Sequence, residues 1–208
     1  YLFTGSRGTG KTSCARIFAK AVCCLSPNNG DPCGHCRICQ GIDNGSMLDY
    51  SEMDAASNRS IEDIRRIREE AYLAPATAKY RIFVLDEVHM LTNEAFNALL
   101  KILEEPPEHV IFILATTDLQ KLPGTILSRC QRFDFMRIEP SAIAQRLMAI
   151  AAAEGRELTP DAAALIAGVA DGAMRDALSV LDRCMSEDGV LNAEVISSVV
   201  GLTGRDAL

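Results

Sequence analysis

The sequence has no apolar run that approaches the roughly 18 residues needed to cross a membrane. It also lacks a charged and then apolar stretch at its start, so no export signal is indicated. Basic residues are in deficit, because 21 Lys and Arg stand against 28 Asp and Glu and give a net charge of −7. These absences predict a cytoplasmic protein without a membrane partner. They also exclude a domain that coats nucleic acid by bulk positive charge.

Internal repeats, coiled-coil patterns and low-complexity tracts are absent as well. A hydrophobic content of 48% over 208 residues suffices for one substantial core and a smaller second domain. The chain opens without methionine on Tyr1-Leu2-Phe3-Thr4, which is typical of a buried strand already under way. We therefore expect the chain to be a fragment of a longer protein, with the upstream part of the fold missing.

Strand and helix patterns alternate over the first two thirds of the chain. Strands are predicted at 1–4, 48–53, 81–85 and 110–115. The runs at 81–85 and 110–115 are apolar enough to suit strands buried on both faces. Apolar residues at helical spacing predict helices at 11–24, 61–71 and 92–103. Ser60 and Asp63 indicate a capping arrangement at the start of the second helix. The alternation predicts a parallel, doubly wound α/β sheet.

The pattern changes after Pro140, where strands stop and alanine-rich helical spacing takes over. Helices are predicted at 141–154, 160–169, 174–186 and 193–200. We therefore divide the chain into a sheet domain at 1–138 and a small all-helical domain at 139–200.

A phosphate-binding loop is predicted at the first turn. Its sequence satisfies G-x-x-x-x-G-K-[ST] between a predicted strand and a predicted helix, the context that makes this pattern specific. Glycines let backbone N–H groups turn toward phosphates, while Lys11 reaches the β and γ phosphates and Thr12 ligates magnesium. The predicted nucleotide-binding residues are Gly5, Ser6, Arg7, Gly8, Thr9, Gly10, Lys11, Thr12 and Ser13.

Two carboxylates, Asp86 and Glu87, close the apolar strand predicted at 81–85. The carboxyl end of a parallel strand opens toward the same crevice as the phosphate loop. We expect Asp86 to hold magnesium and Glu87 to polarise the attacking water as a catalytic base. An acidic pair in isolation is more often a solvated turn, so this interpretation depends on the loop.

Four cysteines lie at metal-ligand spacing in an irregular stretch rich in Pro, Asn and Gly. Cys24, Cys33, Cys36 and Cys39 offer four soft ligands within sixteen residues, which predicts a structural zinc site with no open position for water. Cys23 fits the spacing as well as Cys24 does, and His35 is a competing ligand. Unligated thiols are the alternative. We interpret residues 24–39 as an insertion outside the core.

The motifs together resemble one family. The loop, the cysteine insertion, Asp86-Glu87-Val88-His89 and Ser128-Arg129-Cys130 resemble the gamma/tau clamp-loader subunits of bacterial DNA polymerase III, which belong to the AAA+ ATPases. The segments Leu103–His109 and Leu114–Asp118 are similar to that family too, so the resemblance covers essentially the whole chain.

The resemblance implies three further site residues. Thr117 matches sensor 1, beside the γ phosphate and the water, and acts with Lys11 and Glu87 in catalysis. Arg129 matches the arginine finger that reaches the ATP of a neighbouring subunit. Arg175 matches sensor 2, carried by the helical lid and directed at the subunit's own nucleotide. From the residues alone, Arg129 is a surface arginine and Arg175 is a cation at a helix N-terminus, where the helix dipole disfavours it.

The resemblance also implies a function: Mg²⁺-dependent ATP hydrolysis that drives sliding-clamp loading onto primed DNA, without a polymerase active site. It implies other clamp-loader subunits, the clamp and primed DNA as partners, and the start of an oligomerisation domain at 201–208. Asn58, Arg59 and Ser60 precede a predicted helix whose N-terminal N–H groups suit a DNA phosphate. A solvated cap is the equal alternative.

Two other functions remain open. A non-hydrolysing structural clamp-loader subunit shares the fold, but it is expected to have a degraded phosphate loop, whereas Lys11, Thr12, Asp86 and Glu87 are all intact. A different AAA+ motor, such as a branch-migration helicase, is disfavoured by the cysteine insertion.

Overall fold

The computed structural model describes residues 1–187 and 189–201. They form two compact units. The first contains Tyr1–Gly5 and Lys11–Phe135, and the second contains Ser6–Gly10 with the described residues from Met136 onward. The oligomerisation domain predicted to start at 201–208 lies outside the described residues, apart from Gly201.

The first unit is built on a sheet whose strands all pair in parallel. Its strand order is β2-β3-β4-β1-β5. The strands are β1 (Leu2–Gly5), β2 (Tyr50–Asp54), β3 (Arg81–Asp86), β4 (Val110–Thr116) and β5 (Arg132–Phe135). The predicted parallel α/β sheet is therefore confirmed.

Helices cover both faces of this sheet. The α-helices of the first unit are α1 (Lys11–Cys23), α2 (Arg37–Asp43), α3 (Ile61–Ala71), α4 (Asn93–Glu104) and α5 (Gly124–Leu127). Short 3₁₀ turns span Val88–Met90 and Leu119–Lys121.

Side chains alternate between the two faces along β3 because successive strand residues point in opposite directions. Ile82 and Val84 pack in the core that contains residues of α1 and α2. Phe83 and Leu85 pack in the core that contains residues of α3 and α4. Burial on both faces explains why this strand is a continuous apolar run.

Helices α2 and α5 and strand β5 of the first unit were not predicted. The edge strand β5 has only four residues, with Arg132, Phe133 and Asp134 exposed, so its sequence carries no buried-strand pattern. Helix α2 overlaps the segment interpreted as an insertion outside the core. That interpretation was wrong at its end, because Ile38 is buried in the core beside α1.

The start of α3 shows the predicted capping arrangement. The Ser60 hydroxyl oxygen accepts a hydrogen bond from the backbone N–H of Asp63, and the Asp63 carboxylate accepts one from the backbone N–H of Ser60. Both satisfy N–H groups that have no partner within the helix. The predicted cap is therefore confirmed.

The second unit is all-helical over its described residues from Met136 onward. It contains α6 (Pro140–Ala153), α7 (Pro160–Val169), α8 (Met174–Cys184) and α9 (Ala193–Val200). A core of its own includes Ile143, Leu147, Ile166, Leu181 and Ile196. The predicted helical lid is confirmed. Within residues 1–187 and 189–201, no helix combines the length and apolar character that a membrane crossing demands.

Candidate nucleotide and metal sites

The predicted phosphate loop begins where β1 ends. Gly5 has φ 149°, and a Cβ atom there would lie 2.2 Å from the carbonyl oxygen of Phe135 on the neighbouring strand. No side chain fits such an approach, so glycine is required at this position. The Lys11 ammonium turns back and donates a hydrogen bond to the Gly5 carbonyl oxygen at 2.8 Å.

Residues 6–10 belong to the second unit. Gly8 has φ 78°, and a Cβ atom there would lie 2.8 Å from Ala173 Cβ and 3.5 Å from Arg175 Cβ. The Thr9 hydroxyl donates to the Ser6 carbonyl oxygen at 2.9 Å, which closes the loop on itself. The exposed residues of the predicted binding set are Ser6, Arg7, Gly10 and Ser13.

Lys11 is buried, with 6% of its surface exposed. Burial lowers the pKa of its ammonium, and the nearby carboxylates of Glu87 and Asp86 oppose that change. An ammonium in this position needs anionic neighbours, and phosphate oxygens are suitable ones.

The carboxyl edge of the sheet brings distant residues together. The Thr12 hydroxyl, in the first turn of α1, donates to Asp86 Oδ2 at 2.7 Å across 74 positions of sequence. Strands β3, β4 and β1 are neighbours in the sheet, so their carboxyl ends meet on one side. Hydroxyl and carboxylate oxygens are ligands that Mg²⁺ accepts, so the pair suits a hydrated magnesium ion.

Glu87 follows Asp86 in a left-handed conformation, with φ 48° and ψ 43°. Such a backbone is uncommon for a residue other than glycine and persists where the surroundings hold it. Its Oε2 accepts hydrogen bonds from the Thr117 hydroxyl at 2.7 Å and the Thr117 backbone N–H at 3.2 Å. The predicted base and the predicted sensor are therefore in direct contact.

The four predicted zinc ligands converge. The sulfur atoms of Cys24, Cys33, Cys36 and Cys39 all lie within 4.8 Å of one another. The Sγ atoms of Cys24 and Cys36 are 4.0 Å apart. Zn–S bonds of about 2.3 Å put tetrahedral sulfur atoms about 3.8 Å apart, so the cluster fits a zinc ion.

Backbone N–H groups near these sulfurs stabilise negative charge on them. N–H groups of Cys33, Cys36 and Cys39 point at the sulfurs of Cys24, Cys33 and Cys36 at 3.3–3.5 Å. Burial alone would raise the pKa of Cys36, but the hydrogen bonds around it outweigh burial and lower that pKa to about 6. Burial, with the adjacent thiols, raises the pKa of Cys39 to about 12. A dication would favour the thiolate form of both.

The alternatives for this cluster differ in geometry from the four ligands. Cys23 is buried, and its thiol lies 3.7 Å from the Tyr80 carbonyl oxygen, to which it donates. His35 is exposed, and its Nδ1 lies 2.8 Å from the Cys33 carbonyl oxygen. Among the described residues, the thiol cluster contains neither of them.

The two predicted arginines lie in different units. Arg129 is held by Glu104 Oε1 at 2.7 Å and by the Thr125 carbonyl oxygen at 2.9 Å. Arg175 lies exposed in the first turn of α8, close to Gly8 within the second unit.

The residues proposed for DNA contact form a capped helix start. Asn58 Nδ2 donates to the Asp54 carbonyl oxygen at 3.1 Å, and Arg59 is exposed. Ser60 already accepts one N–H of the first turn, which also contains Glu62 and Asp63. A DNA contact here stays a prediction.

Sequence reasoning missed two polar residues at the carboxyl edge. His89 Nδ1 lies 2.9 Å from Thr116 Oγ1 and 3.3 Å from Glu87 Oε2. Thr116 is fully buried at the end of β4. Both residues lie within two positions of a predicted catalytic residue: Thr116 precedes Thr117, and His89 is two residues after Glu87. A search for polar side chains this close to the predicted catalytic residues could have found them.

Family comparisons agree with the geometry. Residues 1–139 match the family described as "DNA polymerase III, delta subunit". Residues 142–186 match the family described as "DNA polymerase III clamp loader subunit, ATPase lid domain". The chain belongs to the DNA polymerase III clamp-loader family.

Relatives of this clamp-loader chain are bacterial gamma and tau subunits. DNA polymerase III subunit tau of Bacillus subtilis is 53% identical over 206 residues, covering 99% of this chain and 37% of the relative. The Escherichia coli tau subunit is 45% identical over 207 residues, covering 99% of this chain and 32% of the relative. The chain thus spans about a third of the relatives it matches.

Solved structures show the same fold. The Holliday junction branch migration motor RuvB of Thermotoga maritima has a TM-score of 0.68 at 17% identity, covering 97% of this chain and 60% of RuvB. At that identity the likeness concerns the fold alone. The predicted fold of this clamp-loader chain, a parallel sheet followed by a helical lid, is confirmed.

Proposed function

We propose that this chain is the ATP-binding and ATP-hydrolysing part of a gamma/tau clamp-loader subunit, which drives sliding-clamp loading onto primed DNA. The contact between Thr12 and Asp86 carries the proposal, because it joins the phosphate loop to the acidic strand end at 2.7 Å. The intact motifs favour a hydrolysing subunit over a structural one.

Nucleotide binding is assigned to the loop Gly5–Thr12 and to Ser13 at the start of α1. Backbone N–H groups of residues 6–10 hold the phosphates, supported by the positive end of the α1 dipole. The Lys11 ammonium, which bonds the Gly5 carbonyl oxygen at 2.8 Å, moves to the β and γ phosphates. This exchange replaces a neutral acceptor by a charged one, which strengthens the bond.

Magnesium is assigned to Thr12 and Asp86. When bound, the ion supplies positive charge that neutralises the phosphate oxygens. Asp86 accepts one hydrogen bond through Oδ2 from Thr12 and another through Oδ1 from the Glu87 backbone N–H at 2.9 Å. These bonds fix the orientation of the carboxylate before a ligand arrives.

Hydrolysis is assigned to Glu87 with Thr117. Glu87 accepts a proton from water as the water oxygen bonds the γ phosphorus and the bond from that phosphorus to ADP breaks. The products are ADP and inorganic phosphate. Thr117 donates a hydrogen bond to Glu87 Oε2 in this structure. We assign it as the sensor of the γ phosphate, so that its contact with Glu87 couples the catalytic base to the bound nucleotide.

Two arginines complete the proposed site. We assign Arg129 as the finger that stabilises transition-state charge on a neighbouring subunit's ATP. Its exposure and its ion pair with an exposed carboxylate, Glu104, support a side chain that can exchange one anion for another. We assign Arg175 to the chain's own nucleotide, supported by its position near Gly8.

The cysteine cluster is assigned a structural zinc ion. Four thiolates fill a tetrahedral ion completely, so no water is activated there. The cluster joins the end of α1 to the start of α2, because Cys24 follows α1 and Cys36 is the N-cap of α2.

The proposed function implies further properties of the parent protein. Its partners are other clamp-loader subunits, the sliding clamp and primed DNA, with Asn58, Arg59 and Ser60 as candidate DNA contacts. Loading clamps on the bacterial chromosome places it in the cytoplasm. We divide the chain at 138 and 139 into an ATPase domain, with a zinc module at 24–39, and a lid that ends near 200.

The decisive experiment is an ATPase assay on the full-length protein. Partner subunits, clamp and primed DNA are added in turn, and we expect each addition to raise phosphate release. Lys11→Ala is the matched variant and should lose binding of a fluorescent ATP analogue as well as turnover. Turnover that no addition stimulates would support the structural-subunit alternative, and unwinding without clamp loading would support a different motor.

A further inference from the structure

The carboxylate of Glu87 is held by one of its two oxygens. Three contacts reach Oε2: the Thr117 hydroxyl at 2.7 Å, the Thr117 backbone N–H at 3.2 Å and His89 Nδ1 at 3.3 Å. No hydrogen bond to Oε1 occurs among residues 1–187 and 189–201. One oxygen is therefore fixed by the protein, and the other can face a water molecule.

His89 is placed for this contact by the short turn Val88–Met90. Its side chain is 8% exposed, so its polar atoms need partners inside the protein. Nδ1 lies between Glu87 Oε2 and the fully buried Thr116 hydroxyl oxygen, at 3.3 and 2.9 Å. The ring thus bridges the acidic strand end and the end of β4.

The neighbours of Nδ1 determine where its proton lies. The Glu87 carboxylate can only accept hydrogen bonds, so a lone pair on Nδ1 would face a lone pair on Oε2. The Thr116 hydroxyl donates to the Asp118 carbonyl oxygen at 3.2 Å, and its oxygen accepts the Asp118 backbone N–H at 3.0 Å. A hydroxyl oxygen has two lone pairs, so one remains to accept from His89. We assign the proton to Nδ1, which donates it to Thr116 Oγ1 at 2.9 Å and lies in electrostatic contact with Glu87 Oε2 at 3.3 Å.

We propose that His89 is a positioning residue for ATP hydrolysis, which holds Glu87 Oε2 so that Oε1 meets the attacking water. The inference rests on the proposed function of Glu87. Thr117 alone can bind Oε2 in more than one rotation of the carboxylate, whereas a second polar contact, from the His89 ring at 3.3 Å, restricts that rotation. The left-handed backbone of Glu87 lies between β3 and the Val88–Met90 turn that carries His89.

His89→Ala tests the role in the full-length protein assembled with its partner subunits, clamp and primed DNA. We expect kcat for ATP hydrolysis to fall by about ten- to a hundredfold, since a misplaced base loses part of its catalytic effect. The dissociation constant for ATP should change less than about twofold, because the polar partners of His89 are Thr116 and Glu87 and not residues of the phosphate loop.

Two conservative substitutions test whether His89 positions Glu87 or only fills space. Asn places an amide nitrogen close to where His has Nδ1, and its two N–H groups can serve both Glu87 and Thr116. His89→Asn should therefore recover most of kcat, while His89→Leu, which fills similar volume without a donor, should behave like His89→Ala. His109→Ala is the matched control, because the hydrogen-bond partners of that ring among the described residues are the backbone carbonyls of Ala71 and Leu73.

A double-mutant cycle supplies the decisive reading. If His89 acts through Glu87, His89→Ala should change the residual turnover of a Glu87→Gln protein by less than about twofold. Additive losses in the double variant, or equal kcat for His89→Asn and His89→Leu, would overturn the positioning role.

Failure of this inference differs from failure of the proposed function. Suppose that the wild-type assembly hydrolyses ATP, that Glu87→Gln abolishes turnover and that His89→Ala leaves kcat unchanged. Only the proposed role of His89 would then be wrong. If Glu87→Gln keeps full turnover, the assignment of the base falls, and the role of His89 falls with it.

Discussion

The cysteine cluster and the carboxyl edge of the sheet are both groups of converging polar side chains, but they are assembled over different distances in sequence. The ligands Cys24–Cys39 meet within sixteen residues, through turns and the first turn of α2. At the carboxyl edge, Thr12 meets Asp86 across 74 positions and Glu87 meets Thr117 across 30.

Because of this difference, changes in the two groups should affect stability and activity to different extents. A cluster formed by neighbours in sequence needs only local backbone and its metal, so its loss should affect stability first. A site formed by the ends of separate strands exists only when the sheet is complete, so its residues can be changed chemically without disturbing the fold. The contacts at the carboxyl edge should therefore control activity more than stability.

Removing one zinc ligand should have the largest effect. Structural zinc contributes about 10–16 kcal/mol of binding free energy in zinc-finger peptides, so we expect Cys36→Ser to lose the metal and several kcal/mol of unfolding free energy. Metal analysis and urea denaturation measure both. Cys23→Ser is the control and should keep its zinc; retention of zinc by Cys36→Ser would contradict the assigned ligand set.

Arg129→Ala extends the comparison to the contact that we propose with a neighbouring subunit. An arginine finger accelerates hydrolysis by about 10³-fold or more, so stimulated turnover of the assembled complex should fall by that order while ATP binding is kept. Arg132→Ala, which removes another exposed arginine that pairs with Asp134, should leave turnover unchanged. Unchanged turnover in Arg129→Ala would remove the finger assignment.

Glu87→Gln tests whether the carboxyl edge separates activity from stability. An amide cannot accept the proton of water, so kcat should fall by about 10³-fold, which corresponds to about 4 kcal/mol of barrier. The midpoint of thermal unfolding should remain within a few degrees of the wild type. A large loss of stability would show that the two regions do not differ in the way proposed.

Asp49→Ala tests a long-range carboxylate that has a structural role. Asp49 is 2% exposed and accepts backbone N–H bonds from Ala76, Thr77 and Ala78 at 2.7–2.8 Å. Removing it leaves these donors without their acceptor, so we expect a loss of about 3 kcal/mol in urea denaturation. Turnover per folded molecule should not change, and Asp49→Asn should cost less because one acceptor oxygen remains.

The same residue predicts a dependence on pH. Burial alone would raise the pKa of Asp49, but the backbone hydrogen bonds outweigh burial and hold that pKa below its usual value. The ionised form therefore stabilises the fold fully above pH of about 4, and this contribution disappears as pH falls through the lowered pKa. Asp49→Asn should lose less stability than the wild type over that acidic range.

Ser60→Ala should have the smallest effect, because it removes a local contact that binds no metal. The Ser60 hydroxyl oxygen accepts the backbone N–H of Asp63 at 3.3 Å. Loss of an N-cap costs about 1 kcal/mol, measurable by denaturation. Ser60→Thr, which keeps the hydroxyl, should restore most of it. An effect as large as that of Cys36→Ser would show that local contacts do not need a metal to matter.

Prediction from sequence succeeded where the signal is local or where burial is complete on both faces. The run Arg81–Asp86 became a central strand because every side chain in its middle is apolar. It failed for Arg132–Phe135, since an edge strand with exposed charges differs little from a loop before its partner β1 is known. Prediction also failed for α2, because its residues Ile38 and Ile42 become core residues only when they pack beside α1.

The sequence by itself determined the phosphate loop, the acidic strand end and the cysteine spacing, because each is a short pattern whose chemistry is contained in neighbouring residues. Only the tertiary structure decided that Thr117 and His89 share one oxygen of Glu87, and that Cys24 rather than Cys23 joins the thiol cluster. Strand order and helix rotation set these contacts, and neither is encoded in a pattern that a few consecutive residues can show.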